Sequence, residues 1–215
     1  ENFDAKGDEG AKVLSGLSAE LLSLGKVEEA KKLSQRAEKA APADPVQKAR
    51  TGVLKIMTND LSGVEDLEKA IELNPDFKQA ELAMALAEFK RGNQQKAVEL
   101  AKQWQEKYPT DIEGYNFISL LELQKGNAAQ ARVFIDKSLA IKPEAFVALL
   151  YKAQSYLLEK NTDEALNWVT KAVSLHPDNV TVLKFFYQLD NENGEAKIEA
   201  ALARKPEDLY LKLLN

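Results

Sequence analysis

Few side chains in this sequence could do covalent or metal chemistry, and their spacing removes most of the options. There is one histidine and no cysteine. Thiolate nucleophiles, disulfides, iron–sulfur clusters and cysteine zinc sites are therefore excluded. Any site built on two imidazoles is excluded as well. The single His176 sits just before Pro177. As a general base it would need an orienting partner and a nucleophile within reach, so a surface turn residue is the expectation. Leu189-Asp190-Asn191-Glu192-Asn193-Gly194 has the look of a calcium loop, but Leu189 stands at the first ligand place and Ala200 where a bidentate Glu is needed. An acidic turn between helices is expected there. Asn179-Val180-Thr181 is a glycosylation sequon with its Asn in a predicted turn. Paired acids at Glu28-Glu29 and Asp163-Glu164 begin helices, where the helix dipole favours negative charge. No phosphate-binding glycine loop, nucleophile elbow or zincin motif is present. The expectation is no enzyme, no catalytic residue, no cofactor and no metal.

Composition narrows the partners. The 215 residues are 45% hydrophobic and 29% charged, with a net charge of -5. An acidic balance argues against a broad nucleic-acid surface, which needs clustered cations. No run approaches the ~18–20 apolar residues that cross a bilayer, so no direct membrane insertion is expected.

What must position any functional side chain is a repeat. Prolines fall at Pro42, Pro75, Pro109, Pro143, Pro177 and Pro206, with gaps of 33, 34, 34, 34 and 29. Twelve residues before each stands a small residue: Ala30, Gly63, Ala97, Ala131, Ala165 and Gly194. Five before stand Ala37, Ala70, Trp104, Ser138, Ala172 and Ala201. Seventeen before stand Gly25, Thr58, Gly92, Gly126 and Lys160, mostly turn formers. Each unit reads as helix, short turn, helix, then a turn ended by proline, which cannot continue a helix. Small residues at fixed places let two helices approach closely. The pattern predicts helices near 11–24, 27–40, 45–57, 62–73, 78–91, 94–107, 111–125, 128–141, 144–159, 162–175, 178–189 and 193–204, with another turn or two from 207. Asp44-Pro45 predicts an N-cap followed by proline at the first helical position. Thr110, Ser62 and Asn161 each precede a Glu by three, the capping-box spacing.

These positions resemble the tetratricopeptide repeat (TPR) family. The match is fullest at Leu149, Ala153, Tyr156, Ala165, Val169, Ala172 and Pro177, and nearly as full at Tyr115, Ile118, Ser119, Gly126, Ala131, Ile135, Ser138 and Pro143. The third unit departs from it with Glu81 and Glu88 at usually apolar places, and the second lacks one residue somewhere near Thr58–Ser62. The resemblance implies an all-α, right-handed α-α superhelix, a TPR solenoid of about six helix-turn-helix units. Residues 1–10 would end a preceding repeat or form a cap. The array would span 11–208, as 11–44, 45–77, 78–111, 112–145, 146–179 and a degenerate 180–208. Residues 209–215 would begin a capping or further helix. Apolar residues running on past Pro206 suggest a slice of a longer array, against a complete small protein with short caps.

The resemblance further implies that first helices line a concave groove. Carried over by position, the inward residues are Lys12, Ser15, Ala19, Leu22 and Ser23 in the first unit. The second is uncertain by one residue, around Lys48, Gly52, Lys55 and Ile56. Gln79, Leu82, Leu86, Phe89 and Lys90 follow in the third, Glu113, Asn116, Leu120, Leu123 and Gln124 in the fourth, and Val147, Leu150, Gln154, Leu157 and Leu158 in the fifth. The chaperone-tail type of TPR domain is not matched, because its Lys and Asn places hold Ser15/Ala19, Leu82/Leu86, Asn116/Leu120 and Leu150/Gln154. From these, Leu82, Leu86, Phe89, Lys90, Asn116, Leu120, Leu123, Gln124, Leu150, Gln154 and Leu157 are the candidate partner-binding residues. So apolar a face needs covering. A protein or peptide segment, tight superhelical winding, or self-association would each cover it. The expected function is a non-enzymatic interaction scaffold, with a peptide-sensing regulator or a homotypic assembly module as alternatives. Trp104, Tyr108 and Trp168 are expected to pack between helices. The phrase Gln79-Ala80-Glu81-Leu82-Ala83-Met84-Ala85-Leu86 with Lys90-Arg91-Gly92-Asn93 is similar to large bacterial TPR proteins of exosortase and exopolysaccharide export systems. That likeness implies a periplasmic or membrane-associated envelope protein, favoured over a cytoplasmic one.

Overall fold

The computed structural model describes residues 7–23, 26–75, 77–212 and 214. Expectations for residues 1–6, Gly25, Asp76 and Leu213, and for the side chains of Ser23, Gln79, Leu209 and Tyr210, lie outside the described residues. Helices follow one another as α1 (Gly7–Ser23), α2 (Val27–Ala40), α3 (Pro45–Met57), α4 (Gly63–Leu73), α5 (Lys78–Lys90), α6 (Gln94–Lys107), α7 (Ile112–Gln124), α8 (Ala128–Ile141), α9 (Phe146–Leu158), α10 (Thr162–Leu175), α11 (Val180–Leu189), α12 (Asn191–Arg204) and α13 (Leu209–Lys212). No strand occurs among the described residues. The chain divides into two compact units, Glu1–Trp104 and Gln105–Asn215.

In each unit the helices pair as hairpins, and the phase of the small residues explains the pairing. Ala30, Ala97, Ala131 and Ala165, twelve residues before a proline, are fully buried, and Gly63 and Gly194 are buried too. Five before the prolines, Ala37, Ala70, Trp104, Ser138, Ala172 and Ala201 are likewise buried. Unit 1 builds one core around Ile56, Leu67, Ala80 and Ala87 and another around Ala11, Leu14 and Ala37. Unit 2 builds its cores around Ile135 and Ala148, and around Leu149, Val169, Leu183 and Ile198.

The turns inside four of the hairpins share one geometry. Asn59, Gly92, Gly126 and Lys160 adopt positive φ of 62°, 85°, 79° and 60°. The residue after each donates its backbone N–H to a carbonyl five positions earlier: Asp60 to Lys55 at 2.8 Å, and Asn93 to Glu88, Asn127 to Glu122 and Asn161 to Tyr156 at 2.9 Å. This is the left-handed C-terminal closure of a helix, which satisfies carbonyls the helix leaves open. It also places the residue missing from the second unit. Helix α3 has the same 13 residues as α5, α7 and α9. Beyond the left-handed residue, the buried small residue that stands twelve before the proline comes five places on at Ala97, Ala131 and Ala165 but four on at Gly63. The deletion therefore lies between Asn59 and Gly63. In the last hairpin α11 is 10 residues long, and Asp190 alone both ends α11 and caps α12. The shorter proline gap thus comes from both helix and turn.

Capping agrees in part. Asp44 accepts from the Val46 N–H at 2.9 Å ahead of Pro45, and Asn161 accepts from the Glu164 N–H at 3.1 Å. The N-cap of α7 is Asp111, accepting from the Glu113 N–H at 3.2 Å, in place of Thr110. Ser62 makes no side-chain cap to α4. Asp60 folds back on the Ser62 N–H at 3.0 Å instead, because the shortened turn winds tightly there.

Candidate functional site

In unit 1 the first helices of successive hairpins, α1, α3 and α5, lie side by side, and their second helices pack behind. Between α1 and α3 opens a cleft of about 530 Å³, within the ~300–1,000 Å³ range of binding pockets. Leu22, Val46, Val53, Met57 and Phe77 give it apolar walls. Met57 is 51% exposed, a large side chain left open at the rim. Hydroxyls in the lining are turned to the protein: Ser18 donates to the Ala30 carbonyl at 2.6 Å, and Ser34 is bonded to Thr51 at 3.1 Å. Ser15 donates to the Lys12 carbonyl and accepts from the Arg50 guanidinium at 2.6 Å. Arg50 is the one charged group among the described residues of the lining.

The α3 face differs from its sequence expectation. Lys48 pairs with Glu38 of α2, Lys55 with Asp66 of α4 at 2.6 Å, and Gly52 meets the Gly63 carbonyl of α4. All three face second helices. Ile56 is fully buried. From α3 the cleft is lined by Val46, Ala49, Arg50, Val53, Leu54 and Met57. One residue of register is a rotation of ~100° about a helix axis, and the deletion after Asn59 is what displaced the reading.

The candidate partner residues divide by depth. In unit 1, Leu82, Leu86 and Phe89 are half-buried and Lys90 is exposed, with Leu86 packing on the same cluster as Val53 and Phe77. In unit 2, Leu120, Gln154 and Leu157 are half-buried and Gln124 is exposed. Leu123 and Leu150 are core residues, at 3% and 7% exposure. Asn116 is half-buried and accepts from the buried Ser138 hydroxyl at 2.8 Å.

The polar residues singled out by their chemistry have structural duties. His176 ends α10, bonds to the Glu144 carbonyl and sets its ring edge-on to Phe146 at 5.8 Å. Asp190 accepts from both the backbone and the side chain of Asn193, capping α12. The sequon residue Asn179 caps α11 through the Val182 N–H at 3.1 Å. Trp104 is buried and donates to the Lys78 carbonyl at 3.0 Å. Trp168 packs on the unit 2 core beneath Lys152 and Lys171. Among the described residues no group of acids and histidine could hold a metal ion, and no helix is long and apolar enough to cross a membrane.

One arrangement lies outside the sequence expectations. Glu88 is 2% exposed yet charged: Asn93 donates to it at 2.7 Å, Lys96 at 2.9 Å and Arg91 at 3.2 Å. The Asn93 amide first, then Lys96, holds its carboxyl below the ordinary carboxylate range. Glu122 repeats the device at the matching place in unit 2, with Asn127 at 2.8 Å and Lys125 at 3.0 Å. The signal was in the sequence, as Glu-x-x-(Arg/Lys)-Gly-Asn at both turns. These carboxylates tie the Gly-Asn turns to the helices before them.

Stacked helical hairpins in a proline-phased order define an all-α solenoid. Residues 62–112 match the family model of the tetratricopeptide repeat. A thermophilic TPR protein from Thermus thermophilus superposes with a TM-score of 0.69 at 18% identity, covering 83% of this chain and 98% of that one. PilF of Pseudomonas aeruginosa gives 0.56 at 17% identity over 96% and 97%. A tetratricopeptide repeat protein from Parabacteroides merdae gives 0.55 at 19% over 90% and 79%. None of the curated proteins matches. The described residues thus have the fold of tetratricopeptide-repeat solenoid proteins, and residues 62–112 carry the family's sequence pattern.

Proposed function

We propose that this chain is a non-enzymatic interaction scaffold, a module of a longer bacterial TPR protein, that holds a partner segment against the apolar face of its first helices. The observation that carries this reading is the cleft between α1 and α3, whose rim leaves Met57 half in water. Burying such a side chain from full exposure is worth ~1.5–3 kcal/mol, so a segment that covers the open half of Met57 would supply roughly half of that. In unit 1 the face continues through Leu82, Leu86, Phe89 and Lys90 on α5. In unit 2 a similar face is offered by Leu120, Gln124, Gln154 and Leu157, with Leu123 and Leu150 forming its floor and Asn116 its polar edge. A protein or peptide partner fits these surfaces better than an anionic polymer, since cations are few among them. The bacterial envelope setting rests on the phrase from Gln79 to Asn93 and is checked by cell fractionation.

The test is binding of labelled apolar peptides, read by fluorescence anisotropy, to the wild type and to Met57→Asp and Leu86→Asp. Each substitution should weaken binding about tenfold or more while the far-ultraviolet circular dichroism stays helical. Leu86 also packs on the core, so Met57→Asp is the decisive variant. Unchanged binding by folded Met57→Asp would remove the cleft from the reading.

A further inference from the structure

We infer that the unit 1 cleft receives an apolar segment bearing one internal carboxylate, an Asp or Glu side chain flanked on both sides by apolar residues, and that Arg50 is the group that reads it. The inference rests on the groove reading above and adds the partner's chemistry to it.

Three observations carry it. First, Arg50 is without a carboxylate among the described residues. Its only hydrogen bond is to the Ser15 hydroxyl, which leaves most of the five N–H donors of a guanidinium unused. Arg91, Arg132 and Arg204 by contrast hold Glu88, Glu159 and Asp178, and Arg36, which also has no carboxylate among the described residues, is exposed on α2 outside the cleft lining. Second, the charge is peculiar to this cleft. The matching place on α5, α7 and α9 holds Ala83, Phe117 and Tyr151. Third, Arg50 sits part-way along an apolar wall. Val46 lies one turn before it, and Val53 and Met57 follow by one and two turns, about 6 Å to one side and about 10 Å to the other at 1.5 Å per residue.

Complementarity follows from these positions. A segment laid in the cleft removes water from Arg50, and an uncompensated buried cation opposes binding. An entirely apolar segment is therefore disfavoured, and a carboxylate at the centre of the segment answers the charge through a charge-assisted, two-point bond. A chain-terminal carboxylate fits less well. A segment ending at Arg50 would leave one apolar half of the wall uncovered, and the lining has no second cation to share the terminal charge.

The experiment uses sets of acetylated, amidated peptides of about twelve residues. They are apolar on both sides of a central Glu, Gln or Lys. A matched set has Gln at the centre and a free C-terminal carboxylate. Affinities are read by anisotropy for the wild type and Arg50→Met, with sedimentation velocity alongside. Glu-centred peptides should bind about ten- to a hundredfold tighter than their Gln counterparts. Arg50→Met should erase that preference while keeping the Gln-peptide affinity, because Met preserves an apolar wall. Equal binding of Glu and Gln peptides, a preference for the free C-terminus, or a Glu preference that survives Arg50→Met would overturn the inference and leave the groove reading standing. A dimer that no peptide dissociates would make a second copy the occupant and overturn it also. Absence of binding by every peptide would bring down the groove reading together with this one.

Discussion

Gly52 and Gly63 face each other backbone to backbone where α3 crosses α4. A Cβ built on Gly52 would lie 2.6 Å from the Gly63 carbonyl oxygen and 2.9 Å from Leu67, and one built on Gly63 would meet the Gly52 carbonyl oxygen closer still. Both carbonyl oxygens are backbone atoms, which cannot swing aside as a side chain can. A similar approach recurs in unit 2, where a Cβ on Gly194 would fall 2.7 Å from the Tyr187 Cα. Glycine in α12 thus lets the two helix backbones meet at Tyr187. Gly63→Ala and Gly52→Ala should each destabilise unit 1 by about 1–3 kcal/mol, the cost of forcing packed backbones apart. That exceeds the ~1 kcal/mol that Ala gains over Gly in a helix. Urea unfolding followed at 222 nm checks it, and a neutral Gly63→Ala would mean the two helices do not meet there.

The same chemical change should have the opposite sign at Gly16. This residue lies inside α1, and a Cβ there meets nothing within 4 Å. Gly16→Ala therefore removes only unfolded-chain freedom, and stability should rise by about 0.4–1 kcal/mol. The two substitutions, measured side by side, separate close approach from helix propensity.

Much of this was legible in the sequence because proline and small residues punctuate each hairpin at fixed distances. Helices α2, α3, α6, α8 and α10 begin and end where the pattern placed them. Thr110 lost its capping place to Asp111 because two good cap residues stand next to each other, and sequence alone does not decide which carboxylate or hydroxyl reaches the Glu113 N–H. The cleft was less legible. Its α3 wall depended on where one residue was missing, and Thr58, Asn59 and Asp60 are all turn formers, so residue type alone did not fix the left-handed φ at Asn59. Leu123 and Leu150 share the alternation of the accessible residues and are separated from them only by depth.

Asn116 and Ser138 form a pair whose two deletions should not be equivalent. Ser138 is fully buried and donates to the Asn116 carbonyl. Ala occupies the matching place at Ala70, Ala172 and Ala201, so Ser138→Ala should be nearly neutral. Asn116→Ala strands a buried hydroxyl and should cost about 1–3 kcal/mol. Combining both should restore most of that loss. Additive losses in the double-mutant cycle would show that the bond carries no coupling.

Glu88 sets a pH dependence. Its carboxyl is held below the ordinary value by Asn93, then Lys96. The folded state therefore favours the charged form. The resulting stability is fully present above the unfolded carboxylate pKa, near ~4.3, and is lost as pH falls through the lower folded value. Glu88→Gln should lower the urea midpoint most at neutral pH, and the gap to wild type should close progressively below pH ~4. A gap independent of pH would assign the effect of Glu88 to packing.

Lys160 carries the left-handed turn of the α9–α10 hairpin at φ 60°, where Gly126 does so at 79° in the hairpin before it. A residue with a Cβ costs roughly 1–2 kcal/mol in that conformation, and glycine does not. Lys160 is exposed and makes no side-chain bond among the described residues, so nothing is lost with its side chain. Lys160→Gly should therefore stabilise unit 2 by about 0.5–1 kcal/mol after the larger chain entropy of glycine is counted. Gly126→Ala should destabilise it by about 1 kcal/mol or more through the same torsion. Because both positions close their hairpins with the same backbone bond, Asn161 to Tyr156 and Asn127 to Glu122, amide exchange at Asn161 should slow in the first variant and that at Asn127 quicken in the second. Unchanged exchange in both would mean that the turns are not held by their left-handed residues.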